Sequence, residues 1–350
     1  MQKFLVIQTA FIGDVVLATA LLEKLHAYFP EAEIDFLVRK GNEALLAGHP
    51  WLHQVLVWDK KQNKLSNLRV MGRRIRREKY DKVINVQRFA ATGLLTIFSG
   101  AKETIGFDKN PFSRFFTRRV PHIISVPVKA GRVVGAAAAP TTHEIDRNQA
   151  LISAFTDDRP ARPRLYPTAE DSNSVRAYKN TPYITISPAS VWYTKQYPGD
   201  KWADLIRAIP PEYKIFLLGA PSDRPLTQSI VARARTATIV DLSGELSFLQ
   251  SAALMRDAVM NYVNDSAPMH FASAVNAPVT AVYCSTIPEF GFGPLSDESY
   301  VVEIAEPLDC RPCGLHGYKA CPLGHFNCAR NIHDRQLLET LTGGSRAKRL

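Results

Sequence analysis

Four corners of the chain place polar residues directly after an apolar run, at positions where a buried core has no use for them. The first, TAFIGDVVLA, puts Gly13 and Asp14 at the start of a helical pattern. Asp is a favoured helix N-cap, so capping alone explains Asp14. Gly13 also permits close backbone approach to a ligand, as in phosphate-binding turns. Neither GxGxxG nor GxxxxGK[ST] is present, so this corner is not a standard dinucleotide fingerprint or a P-loop.

The second corner, ISPASVWYTKQYPGDKW, follows the strand-like run YITIS and contains Ser190 and Lys195. The pattern predicts a helix that begins near Asp200, which leaves Lys195 on the preceding loop among aromatic residues. Its ammonium group can meet a phosphate as a point charge. It can equally lie over Tyr197 at the surface.

The third corner, LLGAPSD, brings Ser222 and Asp223 to the start of a predicted helix. Both residue types are common at helix N-termini, where their oxygens accept backbone N–H groups. Capping is therefore the simpler interpretation of this pair when it is taken by itself.

The fourth corner, VNDSAPMH, combines possible caps with features that suit an anion. Asp265 and Ser266 fit the capping positions, and Pro268 fits a first turn, where its missing N–H is not needed. Small Ala267 lets backbone N–H groups approach an anion, aided by the helix dipole. His270 is expected one turn into the helix, on the side of Ser266. Three of the four corners lie in the second half, and a sheet edge with helix N-termini and a Lys suits a diphosphate.

The elements that must position these corners follow from length and periodicity. The 350 residues are too many for one core and suit two domains, with 46% hydrophobic and 22% charged residues as in soluble globular proteins. No apolar run approaches the roughly 20 residues that span a bilayer. The N-terminal FLVIQ resembles a first strand more than a secretory segment. We therefore expect a cytoplasmic protein.

Strand-like and helical runs alternate in both halves of the chain, which predicts parallel strands joined by crossover helices. HEIDRNQALISAF is expected to form one helix. The predicted organisation is a domain over 1–160, a Pro-rich linker over 161–180, a second domain over 181–342 and a frayed basic tail over 343–350. Each domain is an α/β, doubly wound sheet, and a cleft between the two is the expected ligand site.

The net charge of +10 lies in the first half, where residues 1–150 hold 23 Lys and Arg against 13 Asp and Glu. Its peak, KLSNLRVMGRRIRREKYDK, predicts an amphipathic helix, although Gly72 costs such a helix about 1 kcal/mol relative to Ala. A basic helix of this kind is typical of contact with anionic lipid or an acidic partner, and also of a plain solvated surface. Nothing in the sequence resembles a nucleic-acid motif. The candidate anion-binding side chains are Arg73, Arg74, Arg76 and Arg77.

Four of the five cysteines crowd into LDCRPCGLHGYKACPLGHFNC, as Cys310, Cys313, Cys321 and Cys328. That is the ligand count of a structural zinc site. The later pair, however, is more widely spaced than in a zinc ribbon. A loop of unpaired thiols is the alternative, since disulfides are disfavoured in a reducing compartment.

Taken in order, these segments resemble glycosyltransferase family nine, the ADP-heptose:lipopolysaccharide heptosyltransferases. The resemblance spans nearly the whole chain and is carried by IGDVVLATALLEKL, SPASVWYTKQYPGDKW, DLSGELSFLQSAALMRDA, NDSAPMHFASAVNAPVTAVY and the cysteine segment. It implies a GT-B fold, two Rossmann-like domains that face a central cleft. It also implies inverting transfer of heptose from ADP-L-glycero-D-manno-heptose to a lipopolysaccharide inner-core acceptor, with no required metal.

The resemblance also implies roles for individual residues. Asp14, beside Gly13, is the expected general base. A donor diphosphate and sugar are expected around Ser190, Lys195, Asp265, Ser266, Ala267 and His270, with Asp223 at the ribose. The implied acceptor, an anionic Kdo–lipid A precursor, suits the four arginines and peripheral contact with the inner membrane.

Three departures from the family pattern concern the donor sugar and the acceptor. Gln8 stands where many members have Arg, Ala267 replaces the usual Gly, and Val191 replaces a hydroxyl residue of some members. Two alternatives therefore remain open. One is a GT-B enzyme that uses another nucleotide sugar for a surface polysaccharide, and the other is a non-catalytic nucleotide-sugar binder.

Overall fold

A computed structural model gives the fold and describes residues 1–60, 63–124, 128–129, 132–133, 142–236, 238–342 and 348–349. The chain forms two compact units. Met1–Ile123 and Thr142–Tyr166 belong to the first unit, and the described residues of Ile124–Thr141 together with Pro167–Leu350 belong to the second. The change from one unit to the other at 166–167 lies inside the predicted linker.

The first unit alternates strands and helices as its sequence periodicity predicts. Its elements are β1 Lys3–Ile7, α1 Ile12–Tyr28, β2 Glu33–Arg39, β3 Leu52–Trp58, α2 Lys64–Glu78, β4 Lys82–Asn85, α3 Ala90–Ile97, β5 Glu103–Phe107, β6 Arg118–Val120 and, further along the chain, α4 Glu144–Gln149. The short strands β7 Val128–Lys129 and β8 Arg132–Val133, between β6 and α4 in the chain, pair with each other and belong to the second unit. The helix predicted around the arginine-rich peak is α2, which runs through Gly72 without a break.

Within the described residues, six parallel strands of this unit form one sheet in the order β3-β2-β1-β4-β5-β6. This is the doubly wound order in which the chain reverses direction beside β1. Residues Phe4 to Ile7 of the central strand are fully buried. A strand covered on both faces has no need of polar alternation, which explains the unbroken apolar run.

The second unit repeats the plan. Its elements are α5 Ala169–Ser174, β9 Tyr183–Ser187, α6 Gly199–Ala208, β10 Lys214–Leu217, α7 Arg224–Ala234, β11 Ile239–Asp241, α8 Phe248–Arg256, β12 Met260–Asn264, α9 Ala267–Ala274, β13 Val279–Tyr283, β14 Ser299–Glu303, α10 Asn327–Arg330, α11 Asp334–Leu341 and β15 Lys348–Arg349. The described strands form a sheet in the order β11-β10-β9-β12-β13-β14-β15, parallel except for β15. Two doubly wound α/β units are thus confirmed.

Three local predictions differ from the structure. The expected helix over 143–155 ends at Gln149, because the next N–H groups, those of Leu151 and Ile152, bond three residues back rather than four. A 3-10 turn, Ser153–Phe155, follows. The predicted linker contains α5, capped by Thr168, whose Oγ1 accepts the N–H of Asp171 at 3.1 Å. The tail is not frayed throughout, since β15 pairs with β14; residues 343–347 and 350 lie outside the described residues.

Among the helices of the described residues, none is both long enough and apolar enough to cross a bilayer. This agrees with the absence of a long apolar run in the sequence.

A buried carboxylate organises the middle of the first sheet. Asp35 of β2 is fully buried, and its Oδ2 accepts the hydroxyl of Tyr80 at 2.5 Å and the amide of Gln54 at 2.7 Å. Its Oδ1 lies 2.9 Å from Nδ1 of His53. A buried carboxylate is tolerated only when such partners replace water.

We expect Tyr80→Phe to lower the free energy of unfolding by about 1–3 kcal/mol, because it removes a donor from a buried carboxylate. Tyr28→Phe is the matched control. Tyr28 also donates to a carboxylate, that of Asp157, but its side chain is 43% exposed, so a change of at most about 0.5 kcal/mol is expected. Urea unfolding of both variants measures the difference, and equal losses would contradict the role given to Asp35.

Candidate functional site

Asp14 lies in the first turn of α1, at the carboxyl end of β1. The residue that caps this helix is Phe11, so Asp14 is the third helical residue and the N-cap interpretation is wrong. Asp14 and Gly13 are both partly exposed. Its carboxylate hydrogen-bonds the backbone at Phe11, so Asp14 supports this helix N-terminus although it is not the N-cap residue.

The surroundings of Asp14 disfavour its charged form. Burial, and next the carboxylate of Glu144, raise the pKa of Asp14 to about 6, although the backbone at Phe11 and at Asp14 itself and the guanidinium of Arg88 oppose the rise. Helix N-termini ordinarily stabilise a carboxylate. Desolvation and the like charge outweigh that effect here. Asp14 therefore has a pKa suited to general base chemistry near neutral pH.

Glu144 is itself held in place by α4. It is buried and paired with Arg147, whose Nε lies 2.7 Å from its Oε2, and Arg147 also donates to the carbonyl of Thr142 at 2.6 Å. Because α4 packs on α1, this acidic side chain is fixed beside the helix that carries Asp14.

A chain of buried polar groups covers the neighbouring strand ends. Gln87, after β4, donates to Oε1 of Gln8 at 2.8 Å and accepts the hydroxyl of Thr9 at 2.5 Å. Lys60, after β3, donates to the carbonyl and hydroxyl oxygens of Thr9 at 3.2 and 2.5 Å. Burial, with a smaller effect of Arg39, lowers the pKa of Lys60 to about 8. Gln8 is therefore a satisfied member of this network.

The exposed Arg88 acts electrostatically on both Asp14 and a buried histidine, His122. His122 is buried edge-on against Phe107, and burial, then Arg88 and Arg147, lower its pKa to about 4. The imidazole is thus neutral at pH 7. Arg88 follows β4, is exposed, and affects both Asp14 and His122.

In the second unit, Lys195 and Asp265 meet. Nζ of Lys195 lies 2.7 Å from Oδ2 of Asp265, and the same oxygen accepts the hydroxyl of Thr286 at 2.6 Å. Asp265 is 6% exposed at the end of β12, and Lys195 stands in a 3-10 turn after β9. The structure thus brings together the second and fourth corners, and Asp265 acts as counter-ion rather than as a helix cap.

Asn264 fixes the loop that carries Lys195 to the end of β12. Its Oδ1 accepts the N–H of Tyr197 at 2.9 Å, and its Nδ2 donates to the carbonyl of Pro188 at 2.8 Å. Both contacts are buried. Asn264 thereby holds both ends of the loop.

The cysteine-containing segment supports the same loop. Thr194 and Ser285 are buried, and their hydroxyls lie 3.0 Å apart. The N–H of Tyr318 donates to Oγ1 of Thr194 at 2.7 Å, and the N–H of Thr194 donates back to the carbonyl of Tyr318. Gly317, with φ +76°, passes so close that an added Cβ would lie 2.9 Å from Oγ1 of Thr194 and 3.0 Å from Cγ of Lys195.

Arg311 anchors the start of this segment to the sheet. Its Nε donates to the carbonyl of Cys284 at 2.8 Å, and its Nη2 donates to the carbonyl of Thr286 at 2.8 Å and contacts Oε2 of Glu303 at 2.6 Å. The planar guanidinium thus bridges three backbone or carboxylate oxygens, which an ammonium group cannot do in this geometry.

The remaining residues of the fourth corner begin α9. Ser266 occupies the N-cap position but makes no side-chain cap, since its hydroxyl is 3.4 Å from the carbonyl of Asn264. Pro268 lies in the first turn as predicted. Ala267 is partly exposed and His270 is buried within the helix. The Ser266 hydroxyl and the helix N-terminus therefore remain candidates for contact with an anion.

Two further predicted donor residues are Asp223, after β10, and Ser190, in the loop that carries Lys195. Asp223 is in a 3-10 turn, where Oδ2 accepts the N–H of Ala220 at 2.8 Å, as the capping interpretation requires. Ser190 is partly exposed, and its carbonyl accepts the amide of Gln196 at 2.6 Å. Their contacts with a nucleotide stay predictions.

The cysteines are free thiols throughout the part of the chain that the structure describes. In that part, no three His, Cys, Asp or Glu side chains are grouped so as to hold a metal ion. Burial raises the pKa of the Cys328 thiol to about 12, so it is protonated at neutral pH. The structural zinc site stays a prediction.

The predicted basic side chains of α2 are exposed but face different neighbours. Arg73 and Arg76 border an apolar groove together with Arg69. Arg74 instead donates to Gln54 of β3 at 3.0 Å, and Arg77 is exposed.

Sequence reasoning missed several residues that the structure joins to the predicted ones. They are Arg88 and Glu144 around Asp14, and Asn264, Thr286 and Gly317 around Lys195. Arg88 and Thr286 lie three residues beyond the ends of β4 and β13, and Asn264 is the last residue of β12, so the rule that ligands bind at strand carboxyl ends could have identified these three. The others depend on tertiary packing alone.

Comparison with known proteins identifies the class to which this fold and site belong. Residues 68–316 match the family model described as Glycosyltransferase family 9 (heptosyltransferase). The chain is 25% identical over 319 residues to lipopolysaccharide heptosyltransferase 2 of Escherichia coli K12, covering 87% of this chain and 88% of that one. A family 9 glycosyl transferase from Veillonella parvula has TM-score 0.83 at 21% identity, and E. coli ADP-heptose LPS heptosyltransferase II has 0.77 at 22%; each alignment covers 98% of both chains.

The chain therefore belongs to glycosyltransferase family 9. It is a glycosyltransferase of the heptosyltransferase family with two Rossmann-like α/β domains of GT-B type. The resemblance seen in the sequence is confirmed, and the non-catalytic alternative is wrong.

Gly317→Ala tests whether the cysteine-containing segment supports the Lys195 loop. Gly324 has the same φ of +76° but open space around it, so Gly324→Ala reports the backbone strain alone, about 1 kcal/mol. For Gly317→Ala we expect a further loss of about 1–3 kcal/mol, because the methyl group must displace Thr194 or Lys195. Denaturant unfolding of both variants measures this, and equal losses would show that the segment does not brace the loop.

Proposed function

We propose that the protein transfers L-glycero-D-manno-heptose from its ADP derivative, with inversion and without a required metal, to an anionic Kdo–lipid A type acceptor of the lipopolysaccharide inner core. The family match and the names of its relatives support heptosyl transfer, and the E. coli structure of similar fold is named for ADP-heptose. The observation that carries the catalytic part is a partly exposed Asp14 whose pKa is raised to about 6.

In the proposed reaction, the carboxylate of Asp14 accepts the proton of an acceptor hydroxyl as that oxygen forms a bond to the anomeric carbon. The bond from that carbon to the donor phosphate breaks, and its electron pair leaves with ADP. The reacting carbon becomes oxocarbenium-like, as in glycoside chemistry generally. A base with a pKa of about 6 is largely charged at pH 7 and yet more basic than an ordinary Asp.

On the donor side, the developing charge of ADP requires fixed positive groups. Lys195 supplies an ammonium group that Asp265 orients at 2.7 Å, and the N-terminus of α9 supplies backbone N–H groups beside Ser266. We assign Ser190 and His270 to the same diphosphate and sugar, and Asp223 to the ribose. Arg88, which is exposed and acts on Asp14, is a further candidate for the anionic acceptor.

Asp14→Asn is expected to lower turnover by about 10²–10⁴-fold, because no base remains. The same change is expected to raise Tm at pH 7.5, since it removes a carboxylate whose charge the fold disfavours. That gain should shrink by pH 5, where the folded wild-type protein holds the proton on Asp14. Turnover with ADP-heptose and thermal unfolding at both pH values measure this, and wild-type turnover in the variant would refute the base assignment.

The pH profile distinguishes Asp14 from other groups. Because the base must be deprotonated, kcat/KM should be half-maximal near the Asp14 pKa of about 6, fall below that pH and reach a plateau roughly one pH unit above it. Glu144→Gln removes the like charge and leaves Arg147 without its partner, so the pKa of Asp14 drops and the fall moves to lower pH. An unchanged profile in this variant would show that the titrating group is not Asp14.

Binding of ADP, UDP and GDP by calorimetry tests the donor site. We expect selective binding of ADP, weakened about tenfold to a hundredfold by Lys195→Ala, which removes a charged partner of the diphosphate. Lys179→Ala is the control, since Lys179 pairs with Asp257 at the surface at 2.5 Å. A preference for UDP or GDP would discard heptose as the donor sugar while keeping the glycosyltransferase.

Lys195→Ala alone leaves the carboxylate of Asp265 buried without its cation, which can destabilise the fold. The double variant Lys195→Ala, Asp265→Asn restores neutrality and serves as the second test. If this stable double variant bound ADP like the wild type, Lys195 would have no role at the diphosphate.

A further inference from the structure

An apolar groove lies between α2 and α3 of the first unit. Its volume is about 360 Å³, and it is lined by Leu68, Gly72, Leu94, Leu95 and Phe98, with Arg69, Arg73 and Arg76 at its edge. Phe98 is 59% exposed although it is a large apolar side chain. The groove thus joins an apolar floor to a row of positive charges.

Gly72 keeps the floor of this groove open. A mid-helix glycine costs about 1 kcal/mol relative to Ala. Packing does not require it, because an added Cβ would meet only Cδ2 of Leu95 at 3.7 Å, an ordinary contact. A side chain longer than that of Ala would enter the groove. The glycine therefore preserves space rather than relieving a clash.

The three arginines at the edge are spaced so that they share one face of α2. Arg69, Arg73 and Arg76 are four and three residues apart and are exposed. Within the described residues, none of them is recorded in an ion pair with an acidic side chain. Arg76 also lies along Gly100, where an added Cβ would be 3.5 Å from its Cγ. Three charges are thus held beside one apolar groove.

We propose that this groove binds one acyl chain of an anionic phospholipid of a bilayer, with the lipid phosphate on Arg69, Arg73 and Arg76. Charge complementarity selects the headgroup, and the apolar floor selects the tail. A free phosphate would use the arginines but leave the floor exposed. An arginine near an anionic bilayer contributes to binding through the surface potential. The inference does not depend on the proposed transfer reaction, because its test contains neither donor nor acceptor sugar.

Co-sedimentation with vesicles tests the charged edge. The wild-type chain should bind vesicles of phosphatidylcholine mixed with phosphatidylglycerol and not vesicles of phosphatidylcholine alone. Arg73→Ala, Arg76→Ala should weaken that binding about tenfold or more. The matched control is Arg74→Ala, Arg77→Ala, which removes the same charge from the same helix but away from the groove. If both double variants lost vesicle binding equally, the effect would come from general surface charge, and the proposed lipid site would be wrong.

Substitutions at Gly72 test the apolar floor. Gly72→Phe should fill the groove and weaken vesicle binding more strongly than Gly72→Ala, which adds one methyl group to the floor and should raise Tm. Undiminished binding by a folded Gly72→Phe variant would overturn the proposal. Short-chain phosphatidylglycerol below its micelle concentration should bind the wild type more tightly than glycerophosphate does. If short-chain phosphatidylglycerol and glycerophosphate bound equally, the groove would bind a phosphate group without an acyl chain. If an acidic amphipathic helix displaced vesicles at a lower concentration than short-chain lipid does, the groove would bind a protein helix instead.

Discussion

In the second unit, the loop that carries Lys195 is organised around one largely buried ion pair, that between Lys195 and Asp265. Taking two charges out of water costs about as much as their attraction returns, so such a pair is weak evidence for stability. What it does provide is orientation: the carboxylate at the end of β12, also bonded to Thr286, holds the ammonium group at 2.7 Å. Asn264, Thr194 and Tyr318 of the cysteine-containing segment then fix the loop around that ammonium group. The cysteine-containing segment is thus part of the site's support, whatever the state of its thiols.

The two units surround the carboxylates of Asp14 and Asp265 with opposite electrostatic environments. Asp265 has a cation and a hydroxyl as partners, so its charge is neutralised where it lies. Asp14 has a second carboxylate, Glu144, for a neighbour and is desolvated, so its proton is held more tightly. The same side chain thus suits a counter-ion at Asp265 and a general base at Asp14, because neighbouring charges and burial differ at the two positions. The helix dipole, which would have made Asp14 a weaker base, is the smaller effect.

The sequence predicted both sheets because buried parallel strands and amphipathic helices have distinct periods. It also placed Asp14, Lys195 and Asp265 in segments that follow strands, where the structure has them, since polar residues after apolar runs mark strand ends; their roles stay predictions. It did not predict features that depend on contacts between distant parts of the chain or on the bonding within one helical turn. The helix expected over 143–155 stops at Gln149 because the next turn tightens to bonds three residues back. Likewise, no local pattern relates Gly317 to Thr194, which are brought together only by the folded segment.

Some glycines of this chain are required by packing, whereas Gly72 is not. A Cβ on Gly93 would lie 2.3 Å from Oδ1 of Asn110, and one on Gly106 would lie 2.5 Å from Cε2 of Phe116, so packing requires both glycines. Gly72 has no such neighbour and lowers the stability of α2, yet it stands between Arg69 and Arg73 above an apolar floor. A residue that breaks a local rule without a packing reason points to function. Asp14 is a comparable case, because the fold disfavours its charged form. Stability alone therefore explains neither Gly72 nor Asp14.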